Sequence, residues 1–301
     1  MIDFPELLSC MVCPHNCGVN RYLERGFCGA SANLAINLAQ LHFGEEPPIS
    51  GSRGSGTIFF CHCNLKCVFC QNYLISNQGY GSSYDLESLV QMMLDLAEHG
   101  AHNINLVTPT HYSPQIRKAI ATARYKGLNV PIVWNSNAYE KTEAIESLSG
   151  LVDIWLPDYK YYHPIYAQKY SSARDYPGQA FKVIKQMYAQ SGPLNLDEKG
   201  IAQKGVLIRI LVLPNGLAGA EFSLRKIAEE IGIDVPLSLM AQYYPAGKAG
   251  DYQELSRGIS DHEYQKVLDT ASELGFSSIY SQELSCSDFW TPKFKQDNIT
   301  F

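Results

Sequence analysis

The sequence has no block of five like charges, no low-complexity tract and no apolar run near the roughly 18 residues that a membrane-spanning helix needs. Its net charge is −6, so the basic surface typical of proteins that bind nucleic acid or anionic membranes is missing. The first residues, MIDFPELLSC, have neither the basic start nor the apolar stretch of an export signal. We therefore expect a cytoplasmic protein that binds neither nucleic acid nor membrane.

The composition is that of a folded protein, with 301 residues of which 46% are apolar. Dividing the length by about 150 residues per domain suggests two domains, but α/β barrels often form one unit of about 250 residues. We expect one large domain over residues 51–301, including a C-terminal extension, and a small segment over residues 1–50.

The nine cysteines are an odd number, and eight of them are bunched. Without an export signal, such clusters indicate metal ligation rather than disulfides. One group is Cys10, Cys13, Cys17 and Cys28, the other is Cys61, Cys63, Cys67 and Cys70, and the ninth cysteine is Cys286. The sequence therefore predicts two metal sites.

Strand-like and helix-like segments alternate after the second cysteine group. Near-continuous Val, Ile and Leu in the strands, with helices between them, predict a parallel sheet covered on its outer face. Six or seven such units predict an α/β fold with a partial (β/α)6 TIM-like barrel. A doubly wound sheet is the competing prediction, although the first strand lacks the GxGxxG turn of dinucleotide-binding folds. The predicted strands are residues 55–60, 103–108, 130–136, 151–157, 206–214, 236–242 and 277–284.

In both architectures functional residues follow the carboxyl ends of the strands. The first such end is CHCNLKCVFC, in which Cys63, Cys67 and Cys70 form C-x3-C-x2-C. A structural zinc site closes with four ligands, whereas three thiolates on a cubane cluster leave one iron open to an exogenous ligand. The alternatives are half of a shared zinc site, or buried cysteines that only pack.

The segment FFCHCNLKCVFCQN resembles the cluster loop of the radical S-adenosylmethionine (SAM) superfamily. Together with CPHNCGVNRY and HFGEEPPISGSRGSGTIFF, it more narrowly resembles the pyruvate formate-lyase activating enzyme-like (PflX-like) group. The resemblance implies that Cys63, Cys67 and Cys70 hold a [4Fe-4S] cluster. It also implies that SAM chelates the open iron and is cleaved reductively to a 5′-deoxyadenosyl radical, which abstracts hydrogen from a substrate.

The resemblance also implies cofactor contacts at the strand ends. Phe69 matches an aromatic residue that meets the adenine, or else caps the core. Thr108 and Thr110 stand where the family has a Gly-Gly-Glu-like turn for the SAM amino group, so this chain departs from the pattern there. Asn135 and Asn137 stand where activating enzymes have an Asp-Thr-Asn run.

Three charged residues near strands four and five are further candidates. Asp158 and Lys160 resemble the Asp-x-Lys of activating enzymes, with Lys160 placed to pair with the SAM carboxylate and Asp158 to hold ribose or a monovalent cation. Arg209 lies within a strand, so we expect a carboxylate partner inside the barrel. The alternative for all three residues is a mutual structural ion-pair network.

The N-terminal cysteines form C-x2-C-x3-C-x10-C. Pro14, Gly18 and Gly29 directly follow three of them and are expected to permit tight turns. Four thiolates suit a closed tetrahedral zinc site, and the same four ligands suit a second iron-sulfur cluster. We expect a small metal-stabilised appendage, because about 30 residues cannot bury enough surface alone.

Cys61 could close the cluster as a fourth ligand, but a buried position at the strand end is the stronger prediction, and Cys286 is expected to pack. Of the histidines, His111 alone is expected near the pocket.

The function that follows is an anaerobic radical SAM oxidoreductase, with activation of a glycyl-radical enzyme suggested by the resemblance. Another peptide or a small molecule is the alternative substrate, and a non-enzymatic iron-sulfur or zinc protein is the remote alternative. A one-electron donor such as flavodoxin or ferredoxin is the expected partner.

Overall fold

The computed structural model describes residues 3–284, 294 and 298–299. The strands are β1 (Leu34–His42), β2 (Ser55–Phe60), β3 (Ser82–Tyr84), β4 (Ile104–Val107), β5 (Ile132–Ser136), β6 (Ile154–Pro157), β7 (Asn195–Leu196), β8 (Ala202–Val206), β9 (Ile208–Leu211), β10 (Leu237–Met240), β11 (Ile279–Ser281) and β12 (Asn298–Ile299). The helices are α1 (Pro47–Ser50), α2 (Tyr73–Ser76), α3 (Leu86–Glu98), α4 (Ser113–Tyr125), α5 (Thr142–Ser147), α6 (Pro164–Ser171), α7 (Tyr176–Ser191), α8 (Ala220–Glu230) and α9 (Asp261–Glu273).

The parallel strands form a curved sheet that confirms the predicted α/β partial barrel. β2, β4, β5, β6 and β8 are parallel neighbours in this order, and β9, β10 and β11 continue as parallel neighbours. A bridge between Asp158 and Arg209 joins the two groups past the end of β6. The carboxyl ends of the strands therefore meet at one end of the barrel, where the predicted site residues fall.

The strand predicted over residues 206–214 is shorter and broken in the structure. β8 ends at Val206, and β9 begins at Ile208 after one residue outside both strands. β8 pairs with β6, whereas β9 pairs with β10. The break allows one chain segment to serve both groups of strands and brings Arg209 beside Asp158.

β1 is a strand that the sequence analysis did not predict. It lies within residues 1–50, pairs antiparallel with β2 and β3, and pairs parallel with β12. Leu34, Ile36 and Leu38 are buried at alternate positions, as a strand requires. The segment LAINLAQLH is rich in Leu and Ala, which favour helices, so its propensity hides the strand.

The helices cover the outer face of the sheet with one apolar side each. In α3, Leu89, Val90, Met93 and Leu96 are buried at helical spacing. α9 begins with a capping box, because Ser260 accepts from the backbone N–H of Glu263 and the Glu263 side chain accepts from the backbone N–H of Ser260. Within the described residues, no helix is long and apolar enough to cross a membrane.

Candidate active site

A cavity of about 560 Å³ lies at the carboxyl end of the barrel. We call it the barrel-end cavity. The three cysteines of the C-x3-C-x2-C loop line it, together with residues from the ends of β4, β5, β6, β9 and β10. Predicted site residues in its lining are Cys63, Cys67, Phe69, Cys70, Thr108, Asn135, Asn137, Asp158, Lys160 and Arg209. Of the residues predicted to hold the cluster or SAM, Thr110 lies outside the lining, as do the four N-terminal cysteines of the second predicted metal site.

Each of the three cysteine sulfurs accepts a hydrogen bond from a side chain on a different part of the fold. Asn137 Nδ2 donates to Cys63 Sγ at 3.3 Å, Ser171 Oγ to Cys67 Sγ at 2.9 Å, and Ser76 Oγ to Cys70 Sγ at 3.2 Å. Donors of this kind stabilise thiolate charge and tune the potential of iron-sulfur clusters. Ser76 and Ser171 were missed in the sequence, since no spacing relates them to the cysteines.

The three thiols face the cavity with little solvent around them. Burial raises the pKa of Cys63 to about 12 and that of Cys67 to about 11, and it also raises the pKa of Cys70. A bound metal overcomes this effect of burial on the three pKa values, because a thiol that coordinates a metal is deprotonated outright. Three free cysteines on one loop, each with a hydrogen-bond donor, fit a cluster that takes three protein ligands.

Asn64 fixes the loop between the first two cysteines. Its side chain donates to the backbone carbonyl of Tyr139 at 2.5 Å and accepts from Asn137 Nδ2 at 2.9 Å. Asn137 therefore contacts both Asn64 and Cys63, and it ties the loop to the end of β5.

Cys61 is fully buried directly after β2 and lies outside the lining of the cavity. Its Sγ donates to the backbone carbonyl of Tyr80 at 3.3 Å, and burial raises its pKa to about 12. The structure thus places it at the buried strand-end position that the sequence predicts. His111 is also buried, with Nε2 2.8 Å from the Cys61 carbonyl oxygen, and it too lies outside the lining, contrary to the expectation for this histidine.

Phe69 packs among aromatic rings while it lines the cavity. Its ring lies 6.3 Å from that of Tyr161 and 5.8 Å from that of Tyr243, both in edge-on orientations. Phe69 is 3% exposed, so its ring is held in place on the wall of the cavity.

The charged candidates form one ion-pair network. Arg209 Nε lies 2.8 Å from Asp158 Oδ1, and Lys160 Nζ lies 2.6 Å from Asp158 Oδ2. Arg209 also pairs with Glu45 at 3.1 Å and donates to Asn135 Oδ1. Arg209 therefore has the carboxylate partner that was expected, and the mutual network proposed as the alternative is present.

The charges of this ion-pair network shift the pKa values of the carboxyl groups in it and next to it. Burial alone would raise the pKa of Asp158, but Arg209 and Lys160 outweigh it and hold that pKa below its usual value. Burial raises the pKa of Glu46, and the adjacent Glu45 adds to the rise while Arg209 opposes it. Both glutamates line the cavity and were missed in the sequence, because GEEPP precedes the first barrel strand and resembles a solvated turn.

The two threonines after β4 occupy different environments. Thr108 lines the cavity with a φ of +60°, an uncommon backbone conformation for a residue other than glycine. Thr110 is buried, and its hydroxyl donates to Glu140 at 2.8 Å. Glu140 also accepts from Trp134 Nε1 and Ser136 Oγ, so this buried carboxylate organises the turns after β4 and β5.

The N-terminal cysteines lie on a chain that folds back on itself. The backbone N–H of Cys10 donates to the carbonyl of Val19, and the N–H of Gly18 donates to the carbonyl of Cys10. Gly18 and Gly29 have φ of +69° and +87°, so both glycines make the turns expected of them. Cys17 and Cys28 each accept a backbone N–H at 3.4 Å.

The four N-terminal thiols lie near one another. Burial raises the pKa of Cys13 to about 12, and the thiols of Cys28, Cys17 and Cys10 add to the rise. Within the described residues, however, no three His, Cys, Asp or Glu side chains converge closely enough to hold a single metal ion. Cys286 lies outside the described residues.

The N-terminal segment packs directly on the cluster loop. His15 Nε2 donates to the backbone carbonyl of Asn64 at 2.7 Å, and Lys66 Nζ donates to the carbonyl of Cys28 at 3.1 Å. The His15 ring also stacks on Phe27 with centroids 3.8 Å apart. The two cysteine groups are thus joined by hydrogen bonds from each loop to the other.

Comparison with known proteins gives matches over most of the chain. A family model described as the radical SAM superfamily matches residues 57–190. An uncharacterised protein of Methanocaldococcus jannaschii is 33% identical over 283 residues, which cover 90% of this chain and 77% of that protein. Among solved structures, HydG, a maturase of the [FeFe]-hydrogenase, is similar with a TM-score of 0.50 at 16% identity. That match covers 73% of this chain and half of the maturase chain, and it bears on the fold alone.

Proposed function

This chain belongs to the radical SAM superfamily, and we propose that it is an oxidoreductase that holds a [4Fe-4S] cluster on Cys63, Cys67 and Cys70 and uses SAM. When bound, the cluster and SAM supply a 5′-deoxyadenosyl radical that abstracts hydrogen from a substrate. The observation that carries the proposal is the convergence of three free cysteines, each with a hydrogen-bond donor to its sulfur, on one cavity at the barrel end.

The same cavity offers groups for the other parts of SAM. Lys160 and Arg209 are the candidates for its carboxylate, and they share Asp158 as an ion-pair partner in the structure. Phe69 offers a ring for the adenine. Thr108 is a better candidate than Thr110 for the SAM amino group, because the Thr110 hydroxyl is already bonded to Glu140.

Asn135, Asn137 and Asp158 complete the proposed cofactor contacts. Asn137 already contacts Cys63, so it holds the cluster loop as well as the cavity wall. Asp158 could reach a ribose hydroxyl or a monovalent cation only by sharing its oxygens with Lys160 and Arg209.

The resemblance of the cluster loop to that of pyruvate formate-lyase activating enzyme supports the finer proposal that the substrate is a glycyl-radical enzyme. The reaction requires one electron per turnover from a donor such as flavodoxin or ferredoxin in the cytoplasm. The N-terminal cysteines are proposed to hold zinc or an auxiliary cluster.

Replacing a ligand of the proposed cluster tests the function. In Cys67→Ala, the anaerobically reconstituted protein should lose the cluster and should form no 5′-deoxyadenosine from SAM and dithionite, because two thiolates cannot hold the cubane. The measurements are iron and sulfide content, the spectrum of the reduced cluster, and product by chromatography.

Cys61→Ala is the matched control, since Cys61 is buried outside the cavity and should not be a ligand. It should retain both the cluster and the cleavage of SAM. Normal cluster content and product formation in Cys67→Ala would refute the assignment.

A further inference from the structure

The barrel-end cavity contains one buried carboxylate that takes part neither in the proposed cofactor contacts nor in an ion pair among the described residues. Glu46 lines this cavity at only 9% exposure, and its Oε2 atom has no hydrogen-bond partner among the described residues. The Glu46 side chain has a hydrogen bond with Ser238, which leaves one carboxylate oxygen buried without a partner. Burying such an oxygen costs free energy, and this cost points to a ligand.

Glu46 is held firmly in place. It is the N-cap residue of α1, and its carbonyl accepts from the backbone N–H groups of Ile49 and Ser50 at 2.8 and 3.0 Å. Pro47 and Pro48 follow it directly, which restricts the backbone further. The side chain is therefore presented to the cavity from a rigid turn, as a recognition group requires.

Glu46 forms no ion pair among the described residues, although the charge of Arg209 acts on it. Among the described lining residues, Lys160 and Arg209 are the two Lys or Arg side chains, and both are committed to ion pairs with Asp158. Arg209 is also paired with Glu45. His42, which lines the cavity too, has its pKa lowered by burial and is neutral near pH 7.

Three glutamine side chains that line the same cavity form hydrogen bonds with one another and with the backbone. Gln242 Nε2 donates to Gln71 Oε1 at 3.0 Å, and Gln282 Nε2 donates to Gln242 Oε1 at 3.0 Å. Gln71 Nε2 donates to the backbone carbonyl of Gln242, and Gln282 Oε1 accepts from the N–H of Ala241. Among the described lining residues, the buried side-chain polar atom left without a hydrogen-bond partner is therefore Glu46 Oε2.

We propose that Glu46 binds a protonated primary amine of the substrate. A single free oxygen suits a compact ammonium group better than a guanidinium, which prefers two parallel bonds to a carboxylate. A peptide substrate would supply this group from a lysine side chain or a free amino terminus. The inference rests on the proposed function, since it assigns the substrate class of the same cavity.

The test uses the holoenzyme with its cluster oxidised and SAM bound, so that no turnover occurs. The probes are n-butylammonium chloride, the neutral butan-1-ol and sodium butyrate, each titrated by calorimetry. The wild-type protein should bind n-butylammonium about ten- to a hundredfold more tightly than butan-1-ol, as a charge-assisted hydrogen bond in a dry site predicts. Equal binding of the amine and the alcohol would overturn the proposal.

Glu46→Gln keeps the shape of the side chain and removes its charge, so the preference for n-butylammonium should disappear. Glu283→Gln is the matched control, since Glu283 lines the same cavity but is exposed to solvent, and this variant should keep the preference. A preference that survives in Glu46→Gln would overturn the proposal.

A measurement on the wild-type protein alone keeps the proposal testable if Glu46→Gln does not fold. Affinity for n-butylammonium should fall as the pH is lowered from 8 to 5, because protonation of Glu46 competes with the cation. If the affinity for butan-1-ol rises over that range instead, Glu46 acts as a neutral donor and the amine site is wrong. Formation of 5′-deoxyadenosine by the wild-type protein is measured separately, so failure of the radical chemistry is distinguishable from failure of the amine site.

Discussion

At the scale of single residues, the site is characterised by the hydrogen-bond donors to its three cysteine sulfurs. Ser171 Oγ donates to Cys67 Sγ, and Tyr161 lies 2.8 Å from the same hydroxyl. Because a hydroxyl has one proton, Ser171 can donate to sulfur only if Tyr161 donates to Ser171, which makes a directed chain of two hydrogen bonds. Such chains strengthen each member and stabilise negative charge at the accepting end.

Ser171→Ala should therefore make the reduction potential of the cluster more negative. The extra electron places charge on the sulfurs, and the variant lacks a donor that stabilises it. We expect a shift on the order of tens of millivolts, given that about 59 mV corresponds to a tenfold change in a one-electron equilibrium. The check is a redox titration followed by electron paramagnetic resonance. Ser172→Ala, at the exposed neighbouring serine, should leave the potential unchanged, and an equal potential in Ser171→Ala would contradict the argument.

Residues whose spacing carries chemistry could be predicted from the sequence, whereas residues that act through three-dimensional proximity could not. Cys63, Cys67 and Cys70 are visible as a motif. Glu46 and Ser171 are single polar residues whose importance depends on burial and on partners far along the chain. Arg209 is an intermediate case. Its charge within an apolar strand predicted a carboxylate partner, but the sequence did not show that Glu45 is one of the partners.

At the scale of elements, the N-terminal segment packs against the cluster loop and forms hydrogen bonds with it. The contacts use backbone carbonyls of Asn64 and Cys28, with His15 and Lys66 as donors. Since these carbonyls do not depend on the cysteine side chains, the contacts should survive changes at the cluster ligands. The turns at Gly18 and Gly29 could be predicted from the sequence, but the neighbour of the segment could not, because no local pattern encodes a contact of this range.

The N-terminal segment should hold its own metal when the cluster ligands are removed. In the triple variant with alanine at Cys63, Cys67 and Cys70, elemental analysis should find either about one zinc or about four irons per chain, because four thiolates complete a site without help. Zinc would assign a structural site and iron an auxiliary cluster. Further replacement of Cys10 and Cys13 by alanine should remove the metal, and a triple variant without metal would contradict both assignments.

At the scale of the whole molecule, Arg209 links several elements across the carboxyl end of the partial barrel through ion pairs and hydrogen bonds. From β9 it reaches Asp158 after β6, Asn135 on β5 and Glu45 before α1. The order of the parallel strands was predictable from their apolar runs and the helices between them. The antiparallel β1 and the break before β9 were not, because both depend on how the sheet closes and not on local propensity.

Arg209→Gln should lower the free energy of unfolding by about 3–5 kcal/mol at pH 7, the usual cost of leaving buried charges uncompensated. The pKa of Asp158 is lowered in the folded state, so its contribution is present above its unfolded pKa of about 3.9 and is lost only as the pH falls through the lower folded value. Urea denaturation should therefore show most of the loss at both pH 7 and pH 5.

Arg117→Gln is the control for this prediction. Arg117 forms an exposed ion pair with Glu6 at 3.1 Å, and its loss should cost less than about 1 kcal/mol. Similar losses in the two variants, or a deficit of Arg209→Gln that vanishes at pH 5, would show that Arg209 does not stabilise the barrel through Asp158.

Two of the hydrogen bonds to the cluster cysteines join residues far apart in the chain, which bears on when they can form. Asn137 is 74 residues beyond Cys63, and Ser171 is 104 residues beyond Cys67. Contacts of such separation form late, since closing long loops costs entropy before the contacts repay it. Cys63 and Cys67 therefore gain these donors only after β5 and α6 have packed, whereas Ser76, the donor to Cys70, lies close to it in the chain. Cys10, Cys13, Cys17 and Cys28 lie close together in the sequence, so the metal proposed for them would not depend on contacts of this range. On the assignments proposed above, the N-terminal site would therefore be complete before the barrel-end site.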